Sequence, residues 1–225
     1  MRRLALLSAI VVVGLTAAGV AAQRGGGRGP GIPPTGTIEH IRANLYRIPG
    51  AGPNTLVFVT QNGVVLVDTK LPGNGDAILK QVRTVTDKPV TMILSTHAHP
   101  DHLGSNDFFP ATVEFVTHEN AQKSIAANPK YSTMPTMTPD RTFSDRLTIG
   151  EGADRIDLHY FGPGHTNGDA FIVFPAVRAM ALGDQMAWKM APLIDGASGG
   201  SVVALPDSLE TAGAGVQNVD TESEG

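Results

Sequence analysis

The chain has no cysteine. That excludes disulfides, thiolate metal ligands, a thiol nucleophile and a lipidated N-terminal cysteine. Any metal centre must therefore be built from histidine and carboxylate. Aromatic residues make up only 5% of the 225 residues, too few for base-stacking platforms. Positive charge is not in excess either. The formal net charge is -4 with histidine neutral, so no global basic field attracts nucleic acid. No repeat of solenoid type is present.

What is present fits one ordinary globular domain. The length allows a single full core and not two. Hydrophobic content of 41% and charged content of 17% are usual for such a domain. The 26 glycines and 16 prolines favour tight turns over a helical bundle. Arg2 and Arg3 precede an apolar run from Leu4 to Val20, and Val20-Ala21-Ala22 supplies small residues for cleavage. Residues 1–22 are therefore expected to be an export signal, with a periplasmic or secreted product and no stable membrane insertion after cleavage. Residues 23–36 are rich in glycine and proline and read as a flexible spacer. Residues 37–225 then form the folded domain.

Short runs of Val, Leu and Ile mark strands at Asn44 to Ile48, Thr55 to Thr60 and Gly63 to Val67. The last two are joined through an Asn62-Gly63 hairpin signal. A helix is expected at Gly75 to Thr84, a strand at Val90 to Ser95 and a short helix at His102 to Phe109. Val113 to Val116 reads as a strand and Glu119 to Ala127 as a helix. Asn128 to Asp145 has no period and reads as a long loop. Further strands follow at Arg146 to Ile149, Arg155 to Phe161, Ala170 to Phe174 and Ala179 to Leu182. Hairpins early and helices interleaved later imply a mixed α/β domain with helices packed on sheets.

The chemistry concentrates at Thr96-His97-Ala98-His99-Pro100-Asp101-His102. Three of the seven histidines stand here beside an aspartate, directly after an apolar strand. The strand end holds the backbone, and His97 and His99, two apart, are able to reach one centre. Asp101 and His102 open the next helix and are able to face a second. Neutral imidazole and carboxylate are the zinc ligands left when thiolate is absent. Gly162-Pro163-Gly164-His165-Thr166 and Leu182-Gly183-Asp184 each follow a strand. Alone, a turn histidine or a strand-end aspartate is an ordinary hydrogen-bonded residue. Beside the first cluster, both become candidate ligands.

In this order the HxHxDH, GPGHT and GD segments resemble the metallo-β-lactamase superfamily. Gly63-Val64-Val65-Leu66-Val67-Asp68-Thr69 is similar to that family's early strand ending in aspartate. The resemblance covers about Ile38 to Ser201. It implies an α+β fold, a four-layer αββα sandwich with the site at one edge of the two sheets. By position it implies that His97, His99 and His165 bind a first metal, Asp101 and His102 a second, and Asp184 both. Asp68, Thr96 and Thr166 would support the ligands from outside. Two zinc ions so held would supply a hydroxide for attack on the substrate, and Asp101 would orient it.

The resemblance also implies a further histidine late in the domain, and no histidine follows His165. The expectation is a domain incomplete at its C-terminal part, with one metal bound firmly and the second weakly. An aspartate at 184 points to the general hydrolase branch, acting on an ester, thioester, lactone or amide-type bond of a small molecule. Three alternatives stay open. They are an exported β-lactamase of the Asp-His zinc type, a persulfide dioxygenase with one iron on His97, His99 and His165, and an inactive fragment or binding protein. Trp188 and Lys189, after Asp184, are expected to line the substrate pocket. His40, His118 and His159 read as structural or surface residues.

Overall fold

The computed structural model describes residues 34–186 and 191–216. The signal segment, most of the spacer, and Trp188 and Lys189 lie outside the described residues. Two sheets carry the domain. The first runs through β1 (Glu39–Arg42), β2 (Leu45–Ile48), β3 (Thr55–Val59), β4 (Val64–Val67), β5 (Val90–Leu94), β6 (Glu114–His118) and β7 (Arg141–Phe143), in that order. The second holds β8 (Arg146–Ile149), β9 (Ile156–His159), β10 (Phe171–Phe174) and β11 (Ala179–Ala181), with β8 and β11 at its edges. Strands β1 to β4 pair antiparallel, whereas β4 to β7 pair parallel. Parallel neighbours need crossovers. The helices α1 (Gly75–Val82), α2 (Pro100–Leu103) and α3 (Glu119–Ala127) lie in them, and α4 (Leu205–Gly215) follows the second sheet.

Strand geometry sends alternate side chains to opposite faces, and both faces of the first sheet are covered. Val64 and Leu66 of β4 join a core with Ile78 and Val82 of α1 and Ile125 of α3. Val65 and Val67 join a second core with Ile156, Leu158, Ile172 and Phe174 of the other sheet. This double burial explains why β4 reads as an unbroken apolar run. The Phe58 and Phe174 rings, 4.9 Å apart, bridge the two sheets. On the outer side of the second sheet Phe171 meets Phe161 edge-on. There α4 is tied down by Ser208 Oγ, which donates to Pro163 O at 3.0 Å. The layers are thus helix, sheet, sheet, helix.

The structure departs from the sequence reading in four places. The helix expected at His102 to Phe109 is two pieces, α2 and a 3-10 turn at Asn106–Phe108. Pro100 starts α2 early, where its missing N–H costs nothing. Tertiary bonds then break the helix: Ser105 Oγ donates to Leu71 O, and Thr69 Oγ1 donates to Asn106 Oδ1. The expected loop from Asn128 to Asp145 contains a 3-10 turn at Pro135–Met137 and strand β7. Strand β1 and helix α4 carry too weak a local pattern to be read at all.

His118 is buried at the end of β6 and stacks on Tyr160 at 4.0 Å. Its Nδ1 accepts from Asn120 N and so caps α3, while Nε2–H donates to Ser144 O. Burial lowers its pKa below the usual 6.5 despite the Ser144 bond. The unfolded chain therefore takes up the proton first, and stability falls as pH drops below about 6.5, by up to about 1.4 kcal/mol per pH unit for one proton. Denaturant titrations from pH 7.5 to 5 are expected to show a shallower loss in His118→Phe than in the parent.

Candidate metal centre

The site is assembled at the ends of β4, β5, β9 and β11. After β4 the chain turns sharply, with Asp68 at φ 59° and Lys70 at φ 65°. Left-handed backbone is disfavoured for side chains other than Asn and Asp, so this turn must be held by its partners. Asp68 N donates to Leu94 O at 2.9 Å, and Thr69 N donates to His102 O. The buried Asp68 carboxylate accepts from Thr96 N and Thr96 Oγ1, each at 2.8 Å. It also accepts from His102 Nδ1 at 2.7 Å. One carboxylate thereby joins the strand end carrying His97 to the helix carrying His102.

Four imidazoles meet here. The rings of His97, His99 and His165 stand 4.7 Å from one another, nearly perpendicular in each pair. Each histidine is held by one nitrogen from outside. His102 Nδ1 meets Asp68, and His165 Nδ1 donates to Leu193 O. His99 Nε2 donates to Asp195 Oδ2 at 2.8 Å, and His97 Nδ1 lies 3.1 Å from Thr96 Oγ1. These partners favour a hydrogen on each outward nitrogen, the arrangement that turns the inward nitrogen towards a metal ion. The inward Nε2 atoms of His97 and His102 are buried with no hydrogen-bond partner. His99 Nδ1 and His165 Nε2 face each other at 3.0 Å. Two lone pairs at that separation are reconciled by a cation or a shared proton. The donor set therefore fits a metal ion on chemical grounds.

Asp184 closes the arrangement from a 3-10 turn at Gly183–Met186. Its Oδ1 is 3.2 Å from His102 Nε2, without hydrogen-bond alignment, and its Oδ2 is 3.7 Å from His165 Nε2. Two groups of ligand atoms result. His97, His99, His165 and Asp184 form one, and Asp101, His102 and Asp184 the other. Asp184 belongs to both. Gly183 has φ +53°, and a Cβ on it would lie 2.6 Å from Thr96 Oγ1. Only glycine lets the aspartate come this close to the histidines.

Electrostatics agree with the geometry at His97 and Asp184. Burial, then the neighbouring His102, His165 and His99, hold His97 well below the ordinary histidine value. It is therefore neutral, the form a metal ligand needs. Burial works against ionisation of Asp184, but the contact with His102 and the charges of His165 and His99 outweigh it. Its carboxyl stays below the usual range. Burial also opposes a charge on His102, but Asp68 and Asp184 raise its pKa to about 10, so without a cation its Nε2 carries a proton that a metal ion would have to displace.

The sequence model of the family described as "Metallo-beta-lactamase superfamily" matches residues 48–210. The chain belongs to the metallo-β-lactamase superfamily. Its relatives include the 2,4-dinitroanisole O-demethylase subunit alpha of Nocardioides sp. (strain JS1661), 30% identical over 67% of this chain and 46% of that one. The metallo-beta-lactamase type 2 of Elizabethkingia meningoseptica is 27% identical over 65% of this chain and 60% of that one. The chain thus spans less than two thirds of these relatives' length. Among solved structures, a metallo-beta-lactamase from Pontibacter korlensis superposes with a TM-score of 0.70 at 21% identity, covering 81% and 86% of the two chains. That likeness supports the αββα fold of the superfamily.

Within this superfamily fold the six candidate ligands come together, as do Asp68 and Thr96 behind them. Thr166 directs its side-chain hydrogen bonds to Asp169 and Gly168. Its N and Oγ1 donate to the buried Asp169, which shapes the turn carrying His165. Asp101 is the most open of the carboxylates, 42% exposed, with Oδ2 3.8 Å from His102 Nε2. Sequence reasoning missed Asp169, Asp195 and the Leu193 carbonyl. Asp195 has a visible local signal, since its side chain caps the turn Gly196–Ser198, but no signal linking it to His99. Hydrogen bonds from Ser198 and His99 keep its carboxyl ionised, below the usual range. Asp195→Ala removes the acceptor that sets the His99 tautomer. First-site metal affinity, read by chelator competition, is expected to fall about 10–100-fold.

Proposed function

We propose that this chain is an exported, zinc-dependent hydrolase of a small molecule, cleaving an ester, thioester, lactone or amide-type bond. The observation that carries the reading is the pair of ligand groups sharing Asp184. His97, His99 and His165 would hold one ion, and Asp101 and His102 the other. A histidine and carboxylate set without thiolate suits zinc. When bound, the ions supply Lewis acidity and lower the pKa of water towards neutrality. Asp101, open to solvent on one side, accepts a hydrogen bond from the attacking water and orients it. Asp68 and Asp195 hold the His102 and His99 rings with the other nitrogen turned inward, so the ring orientations need not reorganise during turnover. The Asp101–His102–Asp184 group favours hydrolysis over mononuclear iron chemistry, which needs only the three histidines. Export rests on Arg2-Arg3, the apolar run to Val20 and the small residues before Gln23. Among the described residues no helix is long and apolar enough to cross a membrane.

A second substrate class has its own support. The relative named as a 2,4-dinitroanisole O-demethylase subunit is 30% identical over 155 residues. The same site would then cleave an activated aryl methyl ether by water. The test is a zinc-loaded panel of nitrocefin, a thioester, a lactone, a phosphodiester and 2,4-dinitroanisole. Turnover of at least one member, lost in Asp101→Ala, is expected. Full zinc loading without turnover of any member would overturn the hydrolase reading. So would bound iron with oxygen uptake on glutathione persulfide. Fractionation and the mass of the mature N-terminus test export.

A further inference from the structure

The segment between β2 and β3, residues 49–54, has the sequence Pro-Gly-Ala-Gly-Pro-Asn. It holds itself poorly. Strand pairing stops at Ile48 and Thr55, and Gly50, Ala51 and Gly52 are all left-handed, at φ 77°, 55° and 105°. Ala51 is its only buried residue. Yet the segment lies against the metal centre. A Cβ on Gly52 would stand 3.5 Å from Asp101 O and 3.7 Å from Asp101 Cβ.

Its anchor is Lys70, whose side chain is fully buried. Nζ donates to the carbonyls of Ile48, Gly50 and Pro53, each at 2.7 Å. Three N–H bonds meet three acceptors, the whole donor set of an ammonium. Burial lowers its pKa to about 8, opposed by Asp68, so at neutral pH all three hydrogens are there to donate. A buried ammonium is tolerated only where it is satisfied in this way. Leu71 N adds a bond to Ala51 O. The same turn uses Asp68 and Thr69 to hold His102, so residues 68–71 grip the ligand helix with one arm and the loop with the other.

We propose that Lys70 is a positioning residue that holds residues 49–54 as a substrate-facing wall beside Asp101. The proposal rests on the reading of Asp101 as part of a hydrolytic site. Lys70 acts on the substrate through the loop and not through the metal ligands.

The absence of cysteine makes the test direct. Exposed Asn54 is replaced by cysteine and carries a nitroxide, and Asn62 in the β3–β4 turn carries a reference label in a second protein. With Lys70 intact, the label at 54 is expected to be clearly more restricted than that at 62 by electron paramagnetic resonance. In Lys70→Met the label at 54 gains nanosecond mobility while that at 62 does not change. KM for the panel substrate that is turned over rises about tenfold or more, with a smaller change in kcat and zinc affinity within about threefold of the parent. Equal mobility at both positions in the Lys70 protein overturns the proposal, and needs no folded Lys70→Met. An unchanged spectrum and KM in Lys70→Met overturn it too, as does zinc affinity falling in step with KM. If no panel member is hydrolysed, the functional reading fails alone, and the spectra still decide the role of Lys70.

Discussion

Exchange of Asp184 for asparagine is expected to lower kcat/KM about a thousandfold or more and to remove one equivalent of bound metal. Asp184 is the residue common to both ligand groups, with one oxygen towards His102 and the other towards His165. Asparagine offers one acceptor and no charge, so one group loses a ligand and the other keeps a neutral oxygen in place of a carboxylate. Metal-ion stabilisation is worth several kcal/mol, and each 1.4 kcal/mol is a factor of about ten. The fold should suffer little, because Asp184 is about one-third exposed and its neighbours are held from outside by Asp68, Asp195 and Leu193. Kinetics on the panel substrate and zinc titration of parent and variant check it. A variant that keeps its full metal complement and turns over within tenfold of the parent would show that Asp184 joins nothing.

Asp68→Asn is expected to be nearly as severe, without touching metal. The Asp68 side chain is 4% exposed, and its Oδ2 accepts from Thr96 Oγ1 and His102 Nδ1. An amide accepts on one side only. With its oxygen kept for Thr96 N, its NH2 group faces two donors. His102 escapes by moving its hydrogen to Nε2, the nitrogen turned towards Asp184. That tautomer cannot ligate. Second-site affinity should fall by about two orders of magnitude, with about 1–3 kcal/mol of stability lost to the unsatisfied buried groups. Zinc titration and urea denaturation measure the two effects separately. Unchanged second-site affinity in Asp68→Asn would contradict the tautomer argument. First-site affinity should change less, because His99 and His165 are oriented by Asp195 and Leu193 and only His97 depends on Asp68, through Thr96.

Much of this is readable without coordinates. Without cysteine, a metal centre has only histidine and carboxylate to draw on. The clustering of His97, His99, Asp101 and His102 after an apolar strand needs no tertiary information, because all four sit on one strand end and the first turn of one helix. The double-faced burial of β4 is legible as its unbroken apolar run, and α3 reads with the same bounds in sequence and structure. His165 and Asp184 are reached through the motif order of the family. The split helix at 102–109 and strand β7 are not, because their cause is a bond or a pairing to a distant segment and not a local preference.

The division has a physical reason. Sequence by itself determined which chemical groups are available and which of them lie close along the chain. That limited the candidate ligand types and the strands that present them. For three of the four imidazoles, tertiary structure alone decided which nitrogen faces inward; His97 takes its partner from the adjacent Thr96. The partner that sets it lies 34 residues away for His102, 96 for His99 and 28 for His165. A lysine such as Lys70 reads in sequence as one more surface charge. Only when the β2–β3 loop folds over it do three carbonyls turn that charge into an anchor.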